Sequence, residues 1–354
     1  MEKEWKPFLV KKLFDRFEPG KGKGANHLAK AMNGGIPYIG ATNRNNGVMF
    51  FVEADKDGGE MIQDGRCIGF IKNGDGSAGY AIYRGEQFIS TSDVIYAYKD
   101  GLDSNIGLFL VTAQDMIYEK YSHGYKRNQK RLLKDHIMLP VTEDKHPDWE
   151  YMSFSVDDKR KKLQARYRNY VLKRLSELEY KEIPRLDEVK WKTFIVEDVF
   201  TIKSGKRLEK RNMTVGNRPF ISASDRNNGV TAFVSNKNNS IDSHVLGVNY
   251  NGSVCEAFYH PYECIFSDDV KRFHLKNRED NEAISLFIGM VIHKQKSKYE
   301  YAYKFNEQRM KRQIIMLPVD YVGNPDYSFM EQYGKNVMLK KYKQYLDFLE
   351  RYKK

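Results

Sequence analysis

The sequence predicts a mixed α/β (α+β) fold built from two tandem copies of one unit, each ending in a long helix. A sixteen-residue segment, PYIGATNRNNGVMFFV from Pro37, recurs as PFISASDRNNGVTAFV from Pro219. Other landmarks recur in the same order over nearly all 354 residues, which indicates tandem duplication of a unit of about 180 residues. Within each copy, short strand-like apolar runs accompany segments of helical spacing, so each domain is predicted to be a mixed sheet with helices.

The individual elements are predicted from local patterns. Apolar runs bounded by Gly, Asn and Asp predict strands at Cys67–Ile71, Tyr80–Tyr83 and Val94–Tyr98. Helical spacing with few breakers predicts one helix over Ile106–Tyr121 and another over Ala283–Lys296.

Each copy is predicted to close with a longer, proline-free helix, Asp157–Glu179 in the first and Tyr333–Lys353 in the second. Both carry apolar stripes, to which Tyr170 and Tyr342 belong, and such stripes require partners. The two helices are therefore predicted to pair antiparallel, with the two domains at opposite ends of a pair roughly 36 Å long and related by an approximate two-fold axis. The predicted segments are a first domain at 1–150, a central helix at 151–183, a second domain at 184–328 and a distal helix at 329–354, with a linker over Tyr180–Lys190.

The charge balance points to a nucleic-acid partner. Lys and Arg total 59 against 47 Asp and Glu, a net charge of +12. With no amphipathic or apolar anchor, this surplus favours nucleic acid over a membrane, although charge alone leaves a merely soluble basic protein equally open. No signal peptide, no run of eighteen apolar residues and no CxxC pair among Cys67, Cys255 and Cys264 is present, so we expect a cytoplasmic protein with reduced thiols.

Candidate DNA contacts fall in segments that recur in both copies. Arg44 and Arg226 precede Asn-Asn-Gly, and arginine binds phosphate or, in bidentate fashion, guanine, whereas the Asn-Gly part favours a positive-φ turn. The loops KNGDGS and NYNGS present amides to phosphate or are ordinary hairpins. Basic-aromatic clusters after Tyr125 and Tyr303 suit phosphate anchoring or form a solvated helix face.

Side chains that read bases are predicted where the two copies diverge, as at Asn43 against Asp225, because copies that read different sequences need different side chains. The predicted DNA contacts are Lys21, Asn43, Arg44, Asn45, Lys72, Asn73, Ser77, Tyr125, Lys126, Arg127, Asn128, Arg131, Lys206, Arg207, Asp225, Arg226, Asn227, Asn251, Ser253, Tyr303, Lys304, Asn306, Arg309 and Arg312. The basic runs 159–162 and 340–341 on the terminal helices are either solvated faces or contacts to DNA or acidic partners.

Five doubled features carry a family resemblance: W-K-x-F, P-[YF]-I-x-A-[TS]-x-R-N-N-G, G-x-x-x-N-G, Y-K-x-N followed by I-M-L-P-V, and the closing helix. Together they resemble the specificity subunits of type I restriction-modification systems, most of all the type IIB, BcgI-like branch. The resemblance implies two target recognition domains, each reading half of a bipartite duplex DNA sequence around an unread spacer. It also implies that the two helices act as ruler and docking surface for methyltransferase or fused methyltransferase-nuclease subunits.

On this resemblance the chain is a non-catalytic subunit without its own cofactor, and S-adenosylmethionine and Mg²⁺ are expected in the partner subunits. The terminal helices are shorter than in many type I members, and an extended N-terminal conserved segment is missing. Spacer length and the choice between type I and type IIB assembly therefore stay open.

Two alternative classes compete with this interpretation: a stand-alone DNA-modifying enzyme, either a methyltransferase or a nuclease, and an RNA-binding protein. A stand-alone methyltransferase is suggested by NPDY at Asn324, but its counterpart HPDW lacks the Asn, and both favour a Pro-Asp turn that caps a helix. A nuclease of dispersed carboxylates would use Asp75, Glu86 and Asp93 near Lys72. An RNA-binding protein with the same basic aromatic surface would be distinguished by its duplex preference.

Overall fold

The structure is a computed structural model that describes residues 3–22, 28–53, 59–74, 76–115, 117–122, 124–299 and 304–351. The chain divides into two compact units, Met1–Tyr167 and Arg168–Lys354. Each unit holds one copy of the repeated sequence.

The first unit is built from short strands and helices that end in a long helix. In chain order they are β1 (Trp5–Leu9), α1 (Val10–Leu13), β2 (Arg16–Pro19), β3 (Ile36–Ile39), β4 (Val48–Val52), β5 (Cys67–Ile71), β6 (Ala81–Arg84), β7 (Ile89–Ser90), β8 (Val94–Tyr98), α2 (Ser104–Asp115), α3 (Gln129–Leu132), β9 (His136–Pro140) and α4 (Trp149–Glu177).

Three sheets organise this unit. Strands β2-β8-β5-β6 form an antiparallel sheet, β4-β3-β7 form a second sheet in which β3 and β7 are parallel, and β1 pairs antiparallel with β9. Strands β5 and β8 are buried along their whole length because their sequences, CIGFI and VIYAY, are continuous apolar runs. Helix α2 contributes Leu110 to the core, which it shares with Phe70 of β5 and Ile137 of β9.

The second unit repeats this order of elements. They are β10 (Trp191–Ile195), α5 (Val196–Val199), β11 (Phe200–Ser204), β12 (Val215–Ile221), β13 (Val230–Val234), β14 (Ile241–Asp242), β15 (Val245–Asn249), β16 (Ala257–His260), β17 (Cys264–Phe266), β18 (Val270–Leu275), α6 (Glu282–His293), α7 (Glu307–Arg312), β19 (Ile314–Pro318) and α8 (Tyr327–Arg351).

Its sheets match those of the first unit except for one additional strand. The order β11-β18-β15-β16 corresponds to β2-β8-β5-β6, and β10-β19 corresponds to β1-β9. The sheet β13-β12-β17-β14 has a fourth strand, β14, whose counterpart around Gln63 forms only an isolated bridge to Phe88. The mixed-sheet fold predicted from the duplication is therefore confirmed in both copies.

The long helices begin earlier than the sequence pattern predicts, at Trp149 and Tyr327. The reason is the Pro-Asp turn before each helix. The Asp148 carboxylate accepts the Tyr151 N–H at 2.9 Å, and Asp326 accepts the Phe329 N–H at 2.9 Å. Both Asp side chains are thus N-caps, which confirms the capping interpretation of HPDW and NPDY.

Within the second unit, the end of α4 packs antiparallel against α8. The Tyr170 ring meets the Tyr342 ring edge-on with centroids 6.2 Å apart. Farther along, the Gln332 side chain donates to the Glu179 carbonyl at 2.9 Å, and Asn336 donates to the Lys181 carbonyl at 2.7 Å. Later residues of α4 and its following linker meet earlier residues of α8, so the predicted antiparallel pairing is confirmed for these turns.

Candidate nucleic-acid interface

Two recurring loops come together in the first unit, at the Arg44-Asn-Asn-Gly turn. Gly74 lies so close to the Ala41 carbonyl that an added Cβ would be 2.2 Å from its oxygen. Beside it, the Ser77 hydroxyl donates to the Asn43 side-chain oxygen at 3.2 Å and accepts the Asn43 N–H at 3.3 Å. The loop from Lys72 to Ser77 therefore supports the segment that enters the turn.

The second unit repeats this contact with different side chains. A Cβ on Gly252 would lie 2.6 Å from the Ala223 carbonyl oxygen, and the Ser253 N–H donates to the same oxygen at 3.2 Å. The Asn249 side chain donates to the Ser224 carbonyl at 3.1 Å. Ser253 thus makes a backbone contact where Ser77 uses its hydroxyl.

One side-chain hydrogen bond holds this loop in both units. Asn73 donates to the Asp93 carboxylate at 3.4 Å, and Asn251 donates to the Asp269 carboxylate at 3.0 Å. The predicted contact residues Asn73 and Asn251 are therefore structural supports of the loop. Lys72 lies at the same place, with its ammonium group donating to the Ser92 carbonyl at 2.8 Å.

A third segment, containing Gly-Lys, borders the same region. The Gly22 N–H donates to the Ser90 carbonyl at 2.6 Å, and the Lys206 N–H donates to the Phe266 carbonyl at 2.9 Å. Lys21 and Lys206 are exposed beside these contacts, and the Lys21 ammonium lies 3.7 Å from the Glu18 carboxylate. Three segments that recur in the sequence are thus brought together in each unit.

The Asn-Asn-Gly turns adopt left-handed backbone conformations. The φ angle is 47° at Asn45, 49° at Asn46, 49° at Asn227 and 52° at Asn228. Asparagine tolerates this region better than other side chains apart from glycine. The predicted turn role is confirmed and extends to Asn45 and Asn227, two residues that the sequence also predicts to contact DNA.

Arg44 and Arg226 lie at equivalent, exposed places at the start of these turns. Only their backbone is held: the Arg44 N–H donates to Thr42 Oγ1, and the Arg226 N–H donates to Ser224 Oγ, both at 3.1 Å. Within the described chain, neither guanidinium has a hydrogen bond or ion pair. Each remains available to an anion or a base edge, as is the exposed carboxylate of the adjacent Asp225.

The basic-aromatic cluster has an ordered, repeated geometry. The Arg131 guanidinium stacks 3.8 Å from the centroid of the exposed Tyr125 ring and donates to the Lys126 carbonyl at 2.6 Å. In the second unit, Arg309 donates to the Lys304 carbonyl at 2.6 Å as well. Asn128 and Asn306 cap the short helices α3 and α7, so both asparagine side chains have a structural role.

Arg127 is a correction to the predicted contact set. It is fully buried, and its guanidinium donates to Asp135 at 2.9 Å, to the Gly79 carbonyl at 3.1 Å and to Gln114 at 2.8 Å. The equivalent residue in the second unit is Phe305, also fully buried. Arg127 was predicted to lie on the surface because the residues around it in the sequence are basic, but the structure places its side chain in the core.

The remaining predicted contacts differ in their surroundings. Arg207 is exposed, with its Nε 3.7 Å from the Glu209 carboxylate, and Arg312 is exposed, with its Nε donating to the Gln308 carbonyl at 3.3 Å. Lys126 and Lys304 are exposed. Tyr303 lies outside the described residues.

A model of the type I restriction modification DNA specificity domain matches the chain twice, over residues 2–166 and 188–346. The chain belongs to this family. It carries two DNA specificity domains, named here the first and second specificity domain by those residue ranges, and is a non-catalytic specificity subunit. The duplication in the sequence is the pair of specificity domains.

Known proteins of this class are similar along most of the chain. The type II restriction enzyme BcgI specificity subunit of Heyndrickxia coagulans is 39% identical over 330 residues, which cover 93% of each chain. A crystal structure of a type I restriction-modification S subunit from M. genitalium matches 99% of this chain and 92% of its own, with a TM-score of 0.48 and 16% identity. A crystal structure of the HsdS subunit from Thermoanaerobacter tengcongensis matches 99% of this chain and 92% of its own, with a TM-score of 0.33 and 11% identity.

The nuclease alternative gains no support in the described parts of the specificity domains. There, no group of three or more His, Cys, Asp or Glu side chains is placed to hold a metal ion. Glu86 pairs with Arg84, Asp93 holds the loop through Asn73, and Asp75 lies outside the described residues.

No helix within the described ranges is both long and apolar enough to cross a membrane.

The three cysteines are buried, free thiols, as the sequence predicts. Burial raises the pKa of Cys67, Cys255 and Cys264 to about 12, so each is a protonated thiol at neutral pH. A protonated, buried thiol is a poor nucleophile and metal ligand, and the cysteines serve the core.

The sequence missed a charged cluster in the second specificity domain. The His274 ring contacts Asp280 at 2.7 Å through Nδ1 and Asp242 at 3.0 Å through Nε2, and Asp242 accepts from Arg272 at 2.8 Å. The hydrogen bond to Asp280 raises the pKa of His274, burial opposes it, and Asp242 adds to the increase. No motif marks this cluster, because the first domain has Tyr98 at the position of His274.

Proposed function

We propose that the chain reads a split duplex DNA sequence, with each specificity domain contacting one half. One observation carries the proposal: both domains place an exposed arginine, Arg44 or Arg226, at the same turn beside the same two loops, and neither forms an ion pair with any described residue. Arginine in such a place binds phosphate or guanine. The net charge of +12 supports a polyanionic partner.

The contact surface in each domain consists of the turn, the Gly-Lys segment and the basic-aromatic cluster. Exposed Lys21, Arg44, Lys126 and the stacked Arg131 form it in the first domain. Their equivalents Lys206, Arg226, Lys304 and Arg309, together with Arg207 and Arg312, form it in the second. Arg127 is excluded because its guanidinium is fully buried.

The same proposal assigns the chemistry to partner subunits. Methyltransferase or fused methyltransferase-nuclease subunits would bind S-adenosylmethionine and Mg²⁺ and dock on helices α4 and α8. Exposed apolar side chains on α4 support docking, since Phe154 and Leu163 are 67% and 62% exposed. The basic run on α4 is partly neutralised by Lys161–Asp157 and Lys162–Asp158 pairs at 2.7 and 2.8 Å, which favours a solvated face over a DNA contact there.

Methylation mapping tests the proposal. The chain and the methyltransferase encoded beside it are expressed in cells without other adenine methyltransferases, and modified adenines are mapped by single-molecule sequencing. We expect one bipartite motif, and exchange of residues 1–150 for those of a relative should change only one half of it. Methylation of the same motif by the methyltransferase alone would refute the proposal, and a change in both halves would refute the modular form of it.

A further inference from the structure

An open cavity of about 460 Å³ lies within the second specificity domain, where the Gly-Lys segment and the loop after β15 meet the turn between β17 and β18. Arg207 and Glu209 come from the Gly-Lys segment, Tyr250 comes from the loop after β15, and Ser267, Asp268 and Asp269 come from the turn between β17 and β18. Sites that enclose small organic groups have volumes of about 300–1,000 Å³, so a nucleobase fits.

Ser267 gives this cavity a polar group in need of a partner. Its side chain is 6% exposed, and its hydroxyl has no hydrogen-bond partner in the described chain. Buried hydroxyl groups are nearly always hydrogen bonded, so an unpartnered one in a cavity wall indicates a bound polar group.

The carboxylates beside Ser267 define which polar group fits. Asp268 is half-buried and has no hydrogen bond or ion pair among the described residues. Asp269 is already engaged, since its carboxylate accepts from Asn251 at 3.0 Å and from the Tyr250 hydroxyl, which leaves Asp268 as the open acceptor. Carboxylates repel phosphate and accept hydrogen bonds, and the matching donor on DNA is the exocyclic amino group of cytosine or adenine.

An aromatic wall completes the cavity. Tyr250 lines it, and the Lys271 ammonium lies 5.1 Å from the centroid of the Tyr250 ring. Arg207, which is exposed at the rim, is placed to meet the phosphate that accompanies a base. One cavity therefore holds a ring on which a base can stack, Tyr250, an acceptor for an amino group, Asp268, and a hydrogen-bond donor to phosphate, Arg207.

The first domain lacks these groups at the equivalent positions. Lys72 stands in place of Tyr250, and Ser92 stands in place of Asp268. The Lys72 ammonium donates to the Ser92 carbonyl at 2.8 Å, so a cation occupies the place that an acceptor holds in the second domain. The two domains thus differ in charge at the position where their shared loops converge.

We propose that this cavity binds the amino group of a cytosine or adenine in the half-site read by the second specificity domain, with Asp268 as the specificity-determining acceptor. This inference rests on the proposed function. It places a cytosine or adenine in the second half-site. The first domain reads its half-site without a carboxylate at the position of Asp268, because Ser92 is there instead.

The test uses the complex of the chain with its methyltransferase subunit, and a panel of duplexes that carry the mapped motif. At each position of the second half-site, adenine is replaced by purine or cytosine by pyrimidin-2-one, which removes only the exocyclic amino group. For the native complex we expect one such replacement to weaken binding about tenfold or more. For the Asp268→Ala complex the same replacement should have little effect, because the acceptor has already been lost.

Ser92→Ala in the first domain is the matched control and should leave recognition of the second half-site unchanged. If the native complex binds the bipartite motif but no replacement is coupled to Asp268, this inference fails while the proposed function stands. If no bipartite motif is bound, the proposed function itself fails. Free cytidine or adenosine at millimolar concentration should not displace DNA, and displacement would make the cavity a nucleoside site and overturn the inference.

Discussion

Replacement of Arg127 by methionine should destabilise the first unit strongly and leave the second unit unaffected. The Arg127 guanidinium lies 2.8 Å from the Asp135 carboxylate, and both side chains are fully buried. It also donates to Gln114 and to the Gly79 carbonyl. Removal of Arg127 leaves the buried Asp135 carboxylate with only the half-exposed Lys120 ammonium and the Tyr121 hydroxyl, each at 2.7 Å. We therefore expect a loss near the lower end of the about 3–5 kcal/mol that breaking a buried ion pair costs.

The second unit supplies the matched rescue for this prediction. It places Ile292, Phe305 and Gln313 at the positions of Gln114, Arg127 and Asp135, and it thereby replaces the ion pair with largely apolar packing. The triple variant Q114I/R127F/D135Q should recover at least half of the lost stability, because an apolar replacement of similar volume has no uncompensated charge.

Hydrogen exchange measured by mass spectrometry reports each unit separately, which a single unfolding curve for a two-unit chain does not. Peptides from β5 and β8 should lose protection in Arg127→Met, while peptides from β15 and β18 should not. Normal protection together with weaker DNA binding would refute the structural role and reinstate Arg127 as a DNA contact.

Three further predictions concern the interface and the second domain. Arg44→Ala should weaken DNA binding by about 1–3 kcal/mol. If Arg44 reads guanine, discrimination at one base pair is lost; if it binds phosphate, affinity falls equally for all sequences and depends less steeply on salt concentration. Fluorescence anisotropy at several salt concentrations measures both effects. Gly74→Ala puts a methyl group 2.2 Å from a backbone carbonyl oxygen and should impair only the first half-site in methylation mapping. Gly59→Ala, whose added Cβ has no described neighbour within 4 Å, should impair neither half-site. Because the hydrogen bond to Asp280 raises the pKa of His274 above 6.5, its contribution to stability is complete below pH 6.5 and is lost as pH rises through the folded value; hydrogen exchange across this range should show the loss in the native chain and not in His274→Gln.

The duplication made the fold of each domain predictable from one sequence. Strands at Cys67–Ile71 and Val94–Tyr98 are found where their apolar runs place them. Helix α6 matches its prediction closely, since its helical spacing fills Glu282–His293. The starts of α4 and α8 were predicted too late because the apolar stripe begins after the caps, and the first turns are defined instead by Asp148 and Asp326.

The site was less predictable because residue type does not determine burial. Arg127 and Arg131 lie four residues apart in one basic segment, yet one is a core residue and the other stacks on an exposed tyrosine. Asn73 and Asn251 carry groups suited to base contacts, but the carboxylates that hold them come from distant strands. Such tertiary partners have no local signature in the sequence.

Some residues of the recognition loops are the same in both domains and others differ, and this explains how two copies of one domain can read two different half-sites. One hydrogen bond that fixes the loop is the same in both copies, since Asn73 donates to Asp93 and Asn251 donates to Asp269. The side chains presented from those loops differ, as with Lys72 against Tyr250. A hydrogen-bonded frame keeps each loop in place while its outward residues change, so a new half-site requires few substitutions and no change of fold. Exchange of Lys72 and Ser92 for their second-domain counterparts, K72Y/S92D, should therefore leave the first domain folded while changing only the half-site it reads.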